Sequence, residues 1–249
     1  MLCIPVRRYH PVPPEAPAGH KAGVLEIDPA RTAFMLVDVY LPPAETGLQT
    51  LSRADYAAKK RIFCELIPPA LAAARCIGLP IVYVANSAPR IALERSAFGR
   101  QLAAVGTDPA SEFAEEGVNA REYLSGRVHS LSYPQEITPK PGDYYVRKHA
   151  YSGFCATRLE VLLRNLDVQA LVAVGIRLDG CLGTTLMDAH QRNFQVLLLR
   201  DCTIASDTPE EQDSRSFTQR MILWYETMIG PTSTSAEFVQ ACASEGCVA

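Results

Sequence analysis

Apolar and polar positions alternate along this chain in blocks. Thr32–Val39 (TAFMLVDV) is a continuous apolar run interrupted only by an acid near its end, as expected of a strand buried on both faces. Leu79–Ala85 (LPIVYVA), Ala170–Ile176 (ALVAVGI) and Phe194–Leu199 (FQVLLL) repeat that pattern, and Asp143–Arg147 (DYYVR) enters a further strand through Pro141-Gly142. Between these runs the chain reads as helical segments. Ser52 to Gly78 reads helical with a break near Pro68-Pro69, where proline starts a second helix that ends at Gly78. A short helix is expected near Glu94–Ala104, and longer ones at Phe154–Asn165, Asp179–Asn193, Pro209–Met228 and Ser235–Cys242. Residues 86–142 otherwise read as irregular. Strands separated by helices predict an α/β fold, a three-layer α/β/α sandwich with a mainly parallel central sheet. Residues 1–22 carry five prolines and little periodicity, so they are expected to form an extension without its own core, followed by a single domain over 23–249.

Composition narrows the class of function. The chain has 249 residues and a net charge of −3, which argues against duplex nucleic acid as a partner. The longest apolar run, Ala170–Ile176, is too short for a membrane span. The N-terminus has no apolar stretch around Arg7-Arg8 of the kind a signal peptide needs, so the expected compartment is the cytoplasm. Thiols stay reduced there, and the eight cysteines are read as free. Cys64, Cys76, Cys155, Cys202 and Cys242 are expected to be small buried hydrophobes, with Cys3 and Cys247 in the tails.

Ligands of a parallel sheet sit beyond the carboxyl ends of its strands. Three polar residues fall there. Asp38 ends the first predicted strand, Lys148 follows the third, and Cys181 opens the helix after the fourth. Lys148 and Cys181 are 33 residues apart, the length of one strand–helix–strand unit that brings two neighbouring parallel strands to one edge. A thiol at a helix N-terminus beside a cation is expected to be acidified. A carboxylate nearby can take its proton and return it to a leaving amine. Each residue alone has a plainer reading: an acid that fixes a loop, a solvated lysine, a small buried thiol. Their joint placement favours chemistry.

The residues carrying this pattern resemble the isochorismatase-like cysteine hydrolases. The strand TAFMLVDVY is similar to that family's opening strand. The stretch Tyr145–Asp207 contains Lys148, the turn Ser152-Gly153-Phe154, Thr157-Arg158-Leu159, the turn Gly175-Ile176 to Cys181, and Thr185 to Ala189, which resemble its most diagnostic motifs. The resemblance covers roughly residues 25–245. It implies Asp38, Lys148 and Cys181 as a catalytic triad, an oxyanion hole from the Arg177 and Cys181 amides, and a cis peptide at Ile176–Arg177. True isochorismatases cleave a vinyl ether and generally lack the nucleophilic cysteine, so the resemblance with Cys181 present implies a small amide, ureide or carbamoyl substrate cleaved at its C–N bond through a thioester. A nicotinamidase-like aromatic amide hydrolase and a non-catalytic binding or assembly member are the alternatives. Many nicotinamidases place a D-x-H metal pair where this chain reads VYVANSAPR, and the histidines at 10, 20, 129, 149 and 190 have no ligand spacing, so no metal and no cofactor are expected. Relatives are commonly dimers or tetramers, which implies a homo-oligomer. The SGF turn and LRNL segment look like ureidoacrylate amidases, and FCATRLE with Asp201-Cys202 looks like biuret hydrolases.

The chain departs from the family pattern around the pocket, with DVYLPP after Asp38 and Arg177, Leu178 and Gly180 before Cys181. Tyr40, Asn86, Tyr151, Phe154 and Arg177 are candidate substrate contacts. For Tyr151 and Phe154 core packing is the equal alternative. The Arg177 side chain either meets an anionic substrate group or points to solvent with only its backbone in use.

Overall fold

The computed structural model describes residues 1–11, 18–41, 52–86, 97–106 and 133–246. It contains one eight-stranded sheet flanked by helices on both faces. In chain order the elements are β1 (Leu2–His10), β2 (Gly19–Ile27), β3 (Thr32–Val37), α1 (Arg53–Arg61), α2 (Ile67–Cys76), β4 (Ile81–Asn86), α3 (Ala97–Ala104), β5 (Tyr144–Lys148), α4 (Leu159–Asn165), β6 (Ala170–Gly175), α5 (Cys181–Gln191), β7 (Gln195–Leu199), α6 (Ser216–Met228), β8 (Thr232–Ser233) and α7 (Ser235–Ser244). The strand order is β2-β1-β8-β7-β6-β3-β4-β5. Strands β8 through β5 run parallel to their neighbours, whereas β1 is antiparallel to both β2 and β8.

Every residue of β3 and of β6 is buried, because helices cover both sides of these central strands. The period of two then sorts their side chains between two cores. Phe34, Leu36, Val172 and Val174 meet Ile67, Leu71 and Phe238 from α2 and α7. Ala33, Met35, Val37 and Ala173 meet Leu159, Leu182, Leu186 and Tyr225 from α4, α5 and α6. Each large aliphatic side chain buried this way contributes about 1.5–3 kcal/mol. The chain leaves β3 for β4 on one side, while β6 pairs on the other, so the sheet reverses direction at β3. A crevice opens at such a point beyond the strand ends.

The N-terminal segment is a correction to the expectation. Residues 1–22 are not an extension without a core. β1 and β2 form a hairpin in continuous register from Leu2↔Ile27 to His10↔Gly19, and Arg7 pairs with Thr232 of β8. Leu2, Ile4 and Ile27 are buried in the first core. The prolines that suggested an extension lie mostly between the strands, and the alternation Leu2, Ile4, Val6 is the signal they obscured. Two helices also begin later than expected, α4 at Leu159 and α6 at Ser216, with turns before each. The break at Pro68-Pro69 is where α2 begins, preceded by a widened helical turn over Ile62–Leu66. Cys76 differs as well, since it is disulfide-bonded rather than a free buried thiol. Among the described residues no helix is long and apolar enough to cross a membrane.

Candidate active site

Four strand ends meet at the crevice. β5 ends in Lys148 and β4 in Asn86, directly opposite one another. β3 ends at Val37, and Asp38 turns out of it with a φ of 50°, a left-handed conformation that Asp tolerates better than most residues. β6 ends at Gly175, whose φ is 124°; a Cβ there would stand 2.0 Å from the Val37 carbonyl oxygen, so only glycine lets the two strands approach at this point. The next bond, Ile176–Arg177, is cis, as the family resemblance implied. Lys148 and Cys181 do not come from neighbouring strands, as the spacing suggested. β4 and β3 lie between β5 and β6, and the long lysine side chain spans the gap.

Lys148 is completely buried, and its ammonium is saturated. It lies 2.8 Å from Asp38 Oδ2 and donates to Cys181 Sγ at 3.0 Å and to Asn86 Oδ1 at 2.5 Å. Three donors meet three acceptors, which is what a buried ammonium requires. Burial works to discharge the lysine, but the Asp38 charge first, and the hydrogen bonds to Asp38 and Cys181, outweigh it and raise its pKa. Asp38 also accepts from the Asn86 backbone N–H at 3.2 Å, and Asn86 Nδ2 donates to the Tyr40 hydroxyl at 2.9 Å. Asn86 thus braces the carboxylate and the ammonium together, while Tyr40 braces Asn86.

The thiol departs from expectation. Burial, followed by the Asp38 charge, pushes Cys181 up to about 12 despite the opposing pull of Lys148. At rest the thiol is therefore protonated, with the Asp38 carboxyl close enough for its charge to act on it.

Cys181 is the first residue of α5, and no side chain caps that helix. The first-turn amides of an uncapped helix must find acceptors outside it. The Arg177 carbonyl accepts the amides of Gly180, Leu182 and Gly183 at 3.0, 3.1 and 3.4 Å, folding the turn onto the helix. Gly183 permits this closeness, since a Cβ there would lie 1.9 Å from the Leu178 carbonyl oxygen. Among the described residues the amides of Arg177 and Cys181 have no backbone acceptor. The turn after Lys148 is fastened to the same helix. Thr185 donates to the Cys181 carbonyl at 2.6 Å and accepts the Gly153 amide at 2.9 Å, and Ser152 donates to Asp188 at 2.5 Å.

The five candidate pocket residues separate. Tyr151 is partly exposed, with Cδ1 3.8 Å from where a side chain on Gly180 would begin, beside the turn that leads into Cys181. Asn86 touches Asp38 and Lys148, and Tyr40 touches Asn86. Phe154 does not belong to the pocket. It is buried in the second core against Phe194, 6.0 Å between ring centroids, with the Arg192 guanidinium 5.0 Å from its own ring centroid. The Arg177 side chain does neither of the expected things, because it donates to the Ala205 carbonyl at 2.8 Å and to Asp55 of α1. Sequence reasoning missed Asp55, whose only local signal is the helix start Ser52-x-x-Asp55. It also missed Tyr133, whose hydroxyl is raised by burial, by Tyr145 and by the charge of Asp38. Among the described residues no group of three or more His, Cys, Asp or Glu side chains is arranged to hold a metal ion.

The Isochorismatase domain model matches residues 51–226, more than half of the chain. The ureidoacrylate amidohydrolase RutB of Caulobacter vibrioides (strain ATCC 19089 / CIP 103742 / CB 15) is 27% identical over 223 residues, covering 86% of this chain and 92% of that protein. RutB of Methylorubrum extorquens (strain ATCC 14718 / DSM 1338 / JCM 2805 / NCIMB 9133 / AM1) is 28% identical over 246 residues, 93% and 96% of the two chains. Among solved structures, a cysteine hydrolase from Pseudomonas syringae pv. phaseolicola 1448A superposes with a TM-score of 0.66 at 22% identity, covering 88% of this chain and 95% of that one. This likeness supports the fold.

Proposed function

Because the chain belongs to the isochorismatase family, we propose that it is a cysteine amidohydrolase that cleaves the C–N bond of a small amide, ureide or carbamoyl compound through a thioester on Cys181. The observation that carries this reading is the buried Lys148 ammonium, 2.8 Å from the Asp38 carboxylate and 3.0 Å from the Cys181 sulfur. A buried cation shared by a base and a thiol has a use in nucleophilic catalysis and little use in a binding module.

The steps follow from the protonation states. Asp38 takes the thiol proton as Cys181 sulfur adds to the substrate carbonyl. The oxyanion that develops is received by the amides of Arg177 and Cys181, at the N-terminus of α5. Asp38 returns the proton to the leaving nitrogen, the C–N bond breaks, and ammonia or an amine departs. Water, losing a proton to Asp38, then adds to the thioester, and the sulfur leaves with that proton. Lys148 stays charged throughout and balances whichever of Asp38 and Cys181 is anionic. The amidohydrolase relatives support a ureide or carbamoyl substrate for this chain.

Ammonia release from ureidoacrylate, biuret, a carbamoyl amino acid and nicotinamide tests the reading and separates the ureide from the aromatic amide class. Turnover of one of the first three is expected, with Cys181→Ala losing at least about 10³-fold while its melting temperature stays near that of the parent. Undiminished turnover by Cys181→Ala would contradict the mechanism.

A further inference from the structure

Arg177 is anchored at three points, and one lies far away in the chain. Its carbonyl collects the amides of Gly180, Leu182 and Gly183, and its guanidinium donates to Ala205 beyond β7 and to Asp55 in the first turn of α1. Asp55 is 8% exposed. It serves two further cations, Lys59 Nζ at 4.0 Å and Arg215 Nη1 at 3.9 Å, and Arg215 also donates to the Ala54 carbonyl at 3.1 Å. The other acid of the group, Asp207, lies 3.5 Å from Arg215. Three cations therefore gather around one nearly buried carboxylate. Burial and the nearby Arg177 charge pull Lys59 down to about 8, a sign that these cations already repel one another. Without the Asp55 charge, the Arg177 guanidinium would keep only a neutral carbonyl as anchor and would be pushed from Lys59.

Arg177 lies four residues before Cys181, and its own amide is one of the two proposed oxyanion donors. An oxyanion donor must stand 2.7–3.1 Å from the charge it receives, and an error of about 1 Å can cost about a hundredfold in rate. We infer that Asp55 is a positioning residue: through the Arg177 guanidinium it fixes the orientation of the turn amides that receive the oxyanion. This rests on the reading of Cys181 as the nucleophile of an amidohydrolase. Asp55 touches neither Cys181 nor Asp38; the tie ran unseen in the sequence because its partners are 122 residues apart.

Two covalent reactions of the same thiol test it on the full chain. With p-nitrophenyl acetate the Cys181 sulfur adds to the ester carbonyl, the thiol proton passes to Asp38, and p-nitrophenolate leaves through a transient oxyanion. With iodoacetamide the sulfur displaces iodide, the proton passes to Asp38, and no oxyanion forms. Rates are read against Cys181→Ala, which subtracts the other cysteines. Asp55→Asn should slow acylation at least about tenfold and leave alkylation within about twofold, because only acylation uses the turn amides. Arg177→Gln breaks the same pair from its other end and should give the same split. Equal slowing of both reactions, or of neither, in both variants overturns the inference. A Cys181→Ala blank as reactive as the parent would instead overturn the nucleophile assignment.

Discussion

Lys148 at the end of β5 and Glu226 on α6 are both buried charges, and each is met by three polar side chains. Glu226 accepts from Arg7 at 2.7 Å and from Thr232 at 2.6 Å, and His20 stands 2.9 Å from its other oxygen. Lys148 meets Asp38, Cys181 and Asn86 at 2.8, 3.0 and 2.5 Å. The partners make the difference. Arg7, His20 and Thr232 come from β1, β2 and β8, so Glu226 ties the hairpin and the short strand to a helix. Arginine does not give up its proton, and that site is a fastening. Around Lys148 the partners are a carboxylate and a thiol, between which a proton can move. On the proposed mechanism, burial serves adhesion at one end of the sheet and proton transfer at the other.

The largest effect expected from breaking this contrast is at Lys148. Lys148→Met leaves Asp38 buried without its countercharge, a loss of about 3–5 kcal/mol in stability, and should remove turnover where folded protein remains. Denaturant melts and ammonia release on the same sample check both. Glu226→Gln should behave differently. It removes the buried charge itself, keeps the shape, and should cost about 1–2 kcal/mol with kcat unchanged. A loss of kcat matching that at Lys148 would erase the distinction between fastening and chemistry.

The smallest effect concerns only the thiol. Because the Asp38 charge is the second cause, after burial, holding Cys181 near 12, Asp38→Asn should lower the thiol's pKa. Thiolate absorbance, measured against the matching Cys181→Ala variant, should appear at lower pH in Asp38→Asn than in the parent. The direction is fixed: removing a neighbouring negative charge favours the anionic thiolate. An unchanged titration would mean burial alone sets the thiol and Asp38 is not coupled to it.

The central strands were readable because both their faces are covered, which leaves continuous apolar runs such as TAFMLV and ALVAVG. The break at Pro68-Pro69 and the stop at Gly78 were readable from backbone chemistry alone. The convergence of Asp38, Lys148 and Cys181 was readable from strand ends, and the family resemblance named the same three residues. The hairpin was not, because β1 and β2 gain their place from Glu226 and Thr232, more than 200 residues away. The fate of Arg177 was hidden for the same reason, since Asp55 reads locally as an ordinary first-turn acid. Phe154 shows the limit of proximity in sequence: two residues from Ser152, it turns into the core while Tyr151 stays beside the turn that leads into Cys181. The direction of the thiol's shift was misread because helix position and a nearby cation are visible in a sequence, whereas burial is not.

The most direct test of the central claim is to quench the protein during turnover of a ureide or amide substrate and locate the acyl group by mass spectrometry of its peptides. An acyl thioester on Cys181 is expected, absent from the other seven cysteines and lost on prolonged incubation as water completes the cycle. Turnover with Cys181 unmodified throughout, or an adduct on another residue that persists in Cys181→Ala, would contradict it.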